Sequence, residues 1–183
     1  MQERLVVLGA GESGIGAAIL AKKQGFDVFL SDKKSISEEL KEFLNKEAIK
    51  WESGKHTLES MKDARLVIKS PGIPDSISLL DALRKQGSSI LSEIEFASHY
   101  TNATLIGITG TNGKTTTTML TYEILKNAGL NVGLAGNIGT SFARQVAQEQ
   151  FDYYVLEISS FQLDNIHDFA PHISVITNIT PDH

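Results

Sequence analysis

Short apolar runs recur along the chain, each followed by a turn and then by a stretch in which apolar residues return every three or four positions. Leu5–Leu8 is the first such run; glycines follow it, then a helical stretch around Ile15–Gln24 that stops at Gly25. Val28–Leu30 reads as the next strand, closing at Asp32, and Ser35 and Glu38 have capping-box spacing ahead of the Leu40, Phe43 and Leu44 stripe. Leu66–Ile68 predicts a third buried strand, 76–86 a helix closed by Gly87, and 89–91 a short strand. Ser92 and Glu95 form a second capping-box pair, predicting a connecting helix to about Tyr100. The rhythm then restarts: strand 104–109, helix 115–127, strand 131–134, helix 141–148, and strands 153–158 and 173–178. Such alternation predicts mostly parallel sheets covered by helices on both faces.

A chain of 183 residues can hold two modest domains. The restart near residue 93 divides it into residues 1–93 and 94–183. The fold class expected is α/β, a Rossmann-like parallel-sheet domain followed by part of a P-loop-type α/β domain. A hydrophobic fraction of 41% and a charged fraction of 21% describe a globular chain, not a disordered one. No apolar run approaches the roughly 20 residues of a spanning helix, so a cytoplasmic protein without a membrane partner is expected. Cysteine is absent, which excludes disulfides, thiolate metal sites and cysteine nucleophiles. The net charge of −5 arises entirely after residue 93, where Lys114, Lys126 and Arg144 are the sole cations. Such a surface lacks the basic face that nucleic acid requires.

Gly9-Ala10-Gly11-Glu12-Ser13-Gly14 fits G-x-G-x-x-G directly after a strand and before a helix, with Asp32 closing the next strand. Glycines there allow a diphosphate to approach amides at a positive helix end, and Asp32 can accept hydroxyl hydrogen bonds. This guarantees a diphosphate-friendly turn; a nicotinamide or flavin cofactor and plain helix-on-sheet packing remain alternatives. Ser70-Pro71-Gly72-Ile73-Pro74 is a stiff turn after the third strand, expected on the same rim.

Gly107-Ile108-Thr109-Gly110-Thr111-Asn112-Gly113-Lys114-Thr115-Thr116 is the sharpest signal. A strand runs into a glycine-flanked turn and then Lys-Thr and a helix, an arrangement that offers amides and an ammonium to a triphosphate and a hydroxyl to Mg²⁺. Its spacing is shorter than G-x-x-x-x-G-K-[ST]. The metal needs a further hard oxygen ligand, and Glu157, at the end of the apolar run Tyr153–Leu156, fits. The two turns are expected to open on one cleft.

Taken together, these residues resemble the Mur ligase family. The shortened loop Gly110–Thr116, Gly136-Asn137-Ile138-Gly139, Glu157-Ile158-Ser159-Ser160-Phe161-Gln162-Leu163 and Asn178-Ile179-Thr180-Pro181-Asp182-His183 follow in the family's order. Ser70-Pro71-Gly72-Ile73 and the Ser-Ser-Phe-Gln-Leu segment point to its D-glutamate-adding branch.

The resemblance implies that the first domain holds the UDP part of UDP-N-acetylmuramoyl-L-alanine. Gly11, Glu12 and Ser13 would stand at the loop, Asp32 and Lys33 near the uridine, and Ser70 and Gly72 along the diphosphate. It implies that Asn137, Ser159, Gln162 and His183 meet the muramoyl-alanine portion or the metal. Gly110, Thr111, Asn112, Gly113, Lys114, Thr115 and Thr116 would bind ATP, Thr115 and Glu157 would hold Mg²⁺, and Lys114 and His183 would be catalytic. The implied reaction is ATP-dependent amide formation with D-glutamate through an acyl phosphate, by a monomer. A chain ending just after a strand is also expected to be an inactive fragment lacking the amino-acid-binding domain. A dinucleotide-dependent oxidoreductase and a non-catalytic nucleotide-binding module are the competing readings.

Overall fold

The computed structural model describes residues 2–181; Asp182 and His183, the end of the proposed Asp-His block, lie outside the described residues. Two parallel sheets follow one another. The first takes β1 (Arg4–Leu8), β2 (Asp27–Asp32), β3 (Lys50–Ser53), β4 (Leu66–Lys69) and β5 (Ser89–Ser92), in the order β3-β2-β1-β4-β5. Its helices are α1 (Glu12–Lys23), α2 (Glu38–Lys46) and α3 (Ser78–Lys85). Alternation along β1 divides the core: Leu5 and Val7 face α1, whereas Val6 and Leu8 join Val67, Leu80 and Leu83 on the α3 side. Strand order reverses between β1 and β4, the place where open α/β sheets bind ligands beyond the strand ends.

After the short helix α4 (Glu93–Ser98), the second sheet takes β6 (Thr104–Thr109), β7 (Val132–Gly136), β8 (Tyr153–Glu157) and β9 (Ile173–Ile176), in the order β7-β8-β6-β9. Helices α5 (Lys114–Asn127), α6 (Phe142–Gln148) and α7 (Ser160–Leu163) connect these strands. All pairings in both sheets are parallel, as the alternation predicts.

Some local expectations change. Strand β3 is polar Lys-Trp-Glu-Ser and carries no apolar run; it exists because β2 offers it an edge, with Leu30 opposite Trp51. The α2 cap is Ser37, whose hydroxyl accepts from the Leu40 amide, and not Ser35. Ser92 does cap α4, but Glu95 does not reach back to it. The last strand stops at Ile176 because Thr177 and Asn178 bond to the turn after β6 instead.

One hydrophobic core spans both sheets, running from β1 and α1 through Ile94 and Phe96 of α4 to Phe142, Ala143, Tyr154 and Leu156. Its tightest point is α1 against α6, where a Cβ on Gly16 would lie 1.9 Å from Ser141 Oγ. The charges around α6 match its dipole. Glu12 Oε1 accepts from the Ser141 amide and Glu93 Oε1 from the Ala143 amide at the start, while Lys23 Nζ donates to the Ala147 carbonyl near the end.

Helix α4 grips the second sheet twice. Besides Glu93, the buried Glu95 carboxylate accepts the amides of His167, Asp168 and Phe169 and pairs with His99. Burial alone would raise the Glu95 carboxyl, but these donors together outweigh it and hold its pKa below the ordinary value. Glu93 goes the other way. Burial pushes its carboxyl from 4.5 up to about 7, with the Ala143 amide opposing and Glu12 adding to the rise.

Between those values the folded chain retains a proton at Glu93 that the unfolded chain releases. Its contribution is therefore greatest below pH 4.5 and lost as pH climbs through about 7, a change of at most about 3 kcal/mol. Glu93→Gln, a neutral isostere, should melt higher than the parent chain at pH 8 and match it near pH 5. Parallel melting curves for the two across that range would show that Glu93 does not titrate as described.

Candidate functional site

The first glycine turn leaves β1 at the switch point. A Cβ on Gly14 would lie 1.9 Å from the Gly9 carbonyl oxygen, so the turn closes only with glycine there. The helix starts at Gly11 without a side-chain cap, leaving the opening amides of α1 for a ligand. Asp32 braces the turn from β2: Oδ2 accepts the Ala10 amide at 2.6 Å and Oδ1 the Lys34 amide at 2.7 Å.

Beside this turn lies a cavity of about 920 Å³. Gly11, Glu12, Ser13, Asp32, Lys33, Ser70 and Gly72, separate in sequence, all line it. Two further lining residues and one support beneath the wall had no sequence signal that singled them out. Lys55 and His56 enter because the polar strand β3 places them beside Asp32. His56 Nδ1 lies 2.7 Å from Ser31 Oγ, which donates to Glu52. Burial lowers the His56 pKa, partly offset by Glu52 and Asp32, and so favours the neutral ring.

The third is Lys69, only 2% exposed, whose Nζ donates to the Ile73 carbonyl at 2.8 Å and so secures the 70–74 turn from beneath. Its neighbour Ser70 has a buried Oγ without a hydrogen-bond partner. A buried hydroxyl in that state at a cavity wall is a donor suited to an anionic oxygen.

The second turn departs from β6. Gly110 adopts φ +135°, and a Cβ there would lie 2.2 Å from Thr177 Oγ1. Lys114 curls back over the turn, Nζ donating to the Gly110 and Thr111 carbonyls at 2.6 and 2.9 Å. The Thr111 and Asn112 amides already donate to Asn178, so they do not stand free as the loop motif suggests. The opening of α5 at Gly113, Lys114, Thr115 and Thr116 has no side-chain cap and carries the amides left for a phosphate.

Glu157 closes β8 beside Ile108 of β6 and Gly136 of β7. It is 1% exposed. Asn137 clamps it twice: Nδ2 donates to Glu157 Oε1 at 2.7 Å and the Asn137 amide to the Glu157 carbonyl at 2.8 Å. Glu157 Oε2 is buried and unpartnered. An orphaned carboxylate oxygen fits a hard divalent cation, and among the described residues no group of three or more His, Cys, Asp or Glu is arranged to hold a metal by itself. That donor set suits Mg²⁺, which takes one or two carboxylates and otherwise phosphate and water oxygens.

Ser159 and Gln162 are also brought together, but by one another. Gln162 Oε1 accepts from the Ser159 amide and hydroxyl in a capping box at the start of α7, leaving Phe161 66% exposed. No direct bond joins Lys114 or Thr115 to Glu157 among the described residues. The cavity at the first turn includes nothing from the second sheet, so the shared cleft expected from the sequence is not a single enclosed space.

Two family models match this chain: the MurD N-terminal domain over residues 4–78 and the Mur ligase middle domain over residues 108–183. Among curated proteins, the chain is 60% identical over 181 residues to the UDP-N-acetylmuramoylalanine–D-glutamate ligase of Bacteroides fragilis, covering 99% of this chain and 41% of that protein. It is 56% identical to the ligase of the same name from Christiangramia forsetii, again over 100% of this chain and 41% of the relative. The chain thus spans about two-fifths of the length of these relatives. Among solved structures, a pseudomurein peptide ligase type C from Methanothermus fervidus is 31% identical with a TM-score of 0.52, over 99% of this chain and 39% of that one. The MurC ligase of Thermotoga maritima, 22% identical with a TM-score of 0.61 over 98% of this chain and 42% of its own, shares the fold.

The role of Lys69 is open to direct measurement. Lys69→Met should speed hydrogen exchange at the Ile73 amide by about tenfold while leaving β1 and β2 protected. Unchanged exchange at Ile73 would mean that the turn holds itself without the buried ammonium.

Proposed function

The chain belongs to the Mur ligase family, and on that premise we propose that it forms the sugar-nucleotide and ATP-loop portion of the enzyme that joins D-glutamate to UDP-N-acetylmuramoyl-L-alanine. Residues 1–93 form the sugar-nucleotide domain and residues 94–183 part of the ATP domain. The observation that carries this reading is the convergence of Gly11, Ser13, Asp32, Ser70 and Gly72 on one cavity at the sheet's switch point. Amides of the first turn and the free Ser70 hydroxyl meet the diphosphate, while Asp32, Lys33 and Lys55 line the uridine end.

The chemistry asks the protein for position and charge, not for a nucleophile. A carboxylate cannot acylate an amine directly, because its oxygen is too poor a leaving group. The alanyl carboxylate oxygen attacks the γ-phosphorus of ATP, the bond to ADP breaks, and an acyl phosphate results. The amino nitrogen of D-glutamate then attacks the acyl carbon, phosphate departs with the bonding pair, and the nitrogen loses its proton.

Lys114 leaves the Gly110 and Thr111 carbonyls to meet the outer phosphates, and the α5 amides orient the chain of phosphates. Thr115 and Glu157 would hold Mg²⁺, with Asn137 keeping Glu157 in its rotamer. When bound, the metal would supply positive charge to offset that of the phosphates. Gln162 and Ser159, braced against one another, meet the muramoyl-alanine portion. Among the described residues no helix is long and apolar enough to cross a membrane. The enzyme proposed is a cytoplasmic monomer whose partners are small molecules.

Calorimetric titration of the 183-residue chain should detect UDP-N-acetylmuramoyl-L-alanine and no NAD(H). Lys114→Ala should leave that affinity within about twofold, while in the complete ligase it should lower phosphoryl transfer by about a thousandfold or more. NAD(H) binding without sugar-nucleotide binding would overturn the proposal, and equal loss of both functions in Lys114→Ala would overturn the division of labour.

A further inference from the structure

Glu12 is out of place for the role its motif gives it. It sits in the first turn of α1, against the cavity in which a diphosphate is proposed to bind, and a carboxylate there repels the ligand. The side chain resolves this by turning onto the second sheet. Its Oε1 accepts the Ser141 amide at 3.2 Å and lies 3.0 Å from Arg144 Nε, an ion pair whose geometry is not that of a linear hydrogen bond. Arg144 is one of three cations after residue 93; its side chain is 29% exposed and that of Glu12 50%, so solvent partly screens the pair and the Ser141 amide contact fixes its geometry.

What Glu12 holds is the beginning of α6. Ser141 caps that helix by accepting the Arg144 amide, and Glu93 takes the Ala143 amide. Gly16 brings α1 so close that Ser141 has little room to move independently. Just before Ser141 runs the turn after β7, in which Thr140 bridges to Ala135 and Asn137 clamps Glu157. A short run of backbone therefore separates the residue held by Glu12 from the residue that orients the metal carboxylate.

We propose that Glu12 and Arg144 are positioning residues that tie the diphosphate turn to the Asn137–Glu157 pair, so that occupying the first site orders the second. This rests on the sugar-nucleotide reading given above. A ligand that orders the Gly9–Gly14 turn restricts Glu12, Glu12 with Arg144 restricts the start of α6, and the 136–140 turn loses freedom. Coupling of this kind needs no large movement, only that binding at one place removes fluctuations at the other.

Hydrogen exchange of the 183-residue chain, with and without saturating UDP-N-acetylmuramoyl-L-alanine, tests this. In the parent chain the ligand should slow exchange at 9–14, at 70–74 and, by about fivefold, at 136–143. Arg144→Ala should keep the first two effects and lose the third, and Arg144→Lys should restore part of it. Without ligand, Arg144→Ala should already exchange faster at 136–143 than the parent, with 70–74 unchanged. Protection confined to 9–14 and 70–74 in the parent, or a full response at 136–143 in Arg144→Ala, would overturn the tie and leave the substrate reading intact. No protection at 9–14 and 70–74 would overturn the substrate reading and the coupling with it.

Discussion

Helix α6 lies in a socket built by the other half of the chain, and through it the helix that follows the first glycine turn is fastened to the second sheet. Two carboxylates, Glu12 and Glu93, meet its opening amides, and Lys23 meets a carbonyl near its close. These charges follow the sense of the helix dipole, so reversing or shifting α6 would set like against like. Gly16 admits the contact sterically, and the apolar core that continues from α1 into Phe142 and Tyr154 supplies the area that makes it adhere.

The same socket explains why helix α4 carries acids that are almost entirely buried. Glu95 is satisfied by backbone amides of the segment 167–169 and stays easily ionised; Glu93 receives one amide, retains an unpartnered oxygen and is held close to neutrality. Their contrast comes from burial and donor count together: Glu93 is the more completely desolvated and has one amide donor, whereas Glu95 has three amides and His99. Around them, Asn165 bonds to Asp75, which also pairs with Arg84, extending the seam towards the 70–74 turn. Polar contacts thus line the seam from Glu12 in the first glycine turn to Asp75 beside the 70–74 turn, over an apolar base.

At the two sites the residues that do the positioning are mostly not those of the glycine motifs. Lys69 supports the 70–74 turn from below, Asp32 fastens the Ala10 amide, and Asn178 occupies the amides of Thr111 and Asn112. Glu157 and Asn137 each belong to a short motif of the sequence, but that Asn137 is the partner of Glu157 is visible only in the fold. Its unpartnered oxygen is the point at which a cation would complete the structure.

The alternation of apolar runs and helical stripes by itself determined two parallel sheets, the connecting helix and the turns with their glycines and lysine, because strand and helix periods are local properties of the chain. Family motifs read from the same residues named the chemistry. Tertiary structure decided the rest. Polar β3 formed only because β2 offered an open edge, and with it came Lys55 and His56. Glu12 turned from ligand loop to inter-sheet contact, Glu95 from capping partner to amide acceptor, and Lys69 into the interior. Each of these side chains is charged or polar, and its role depends on which distant amide or carbonyl lies within reach; no periodicity in the sequence records that distance.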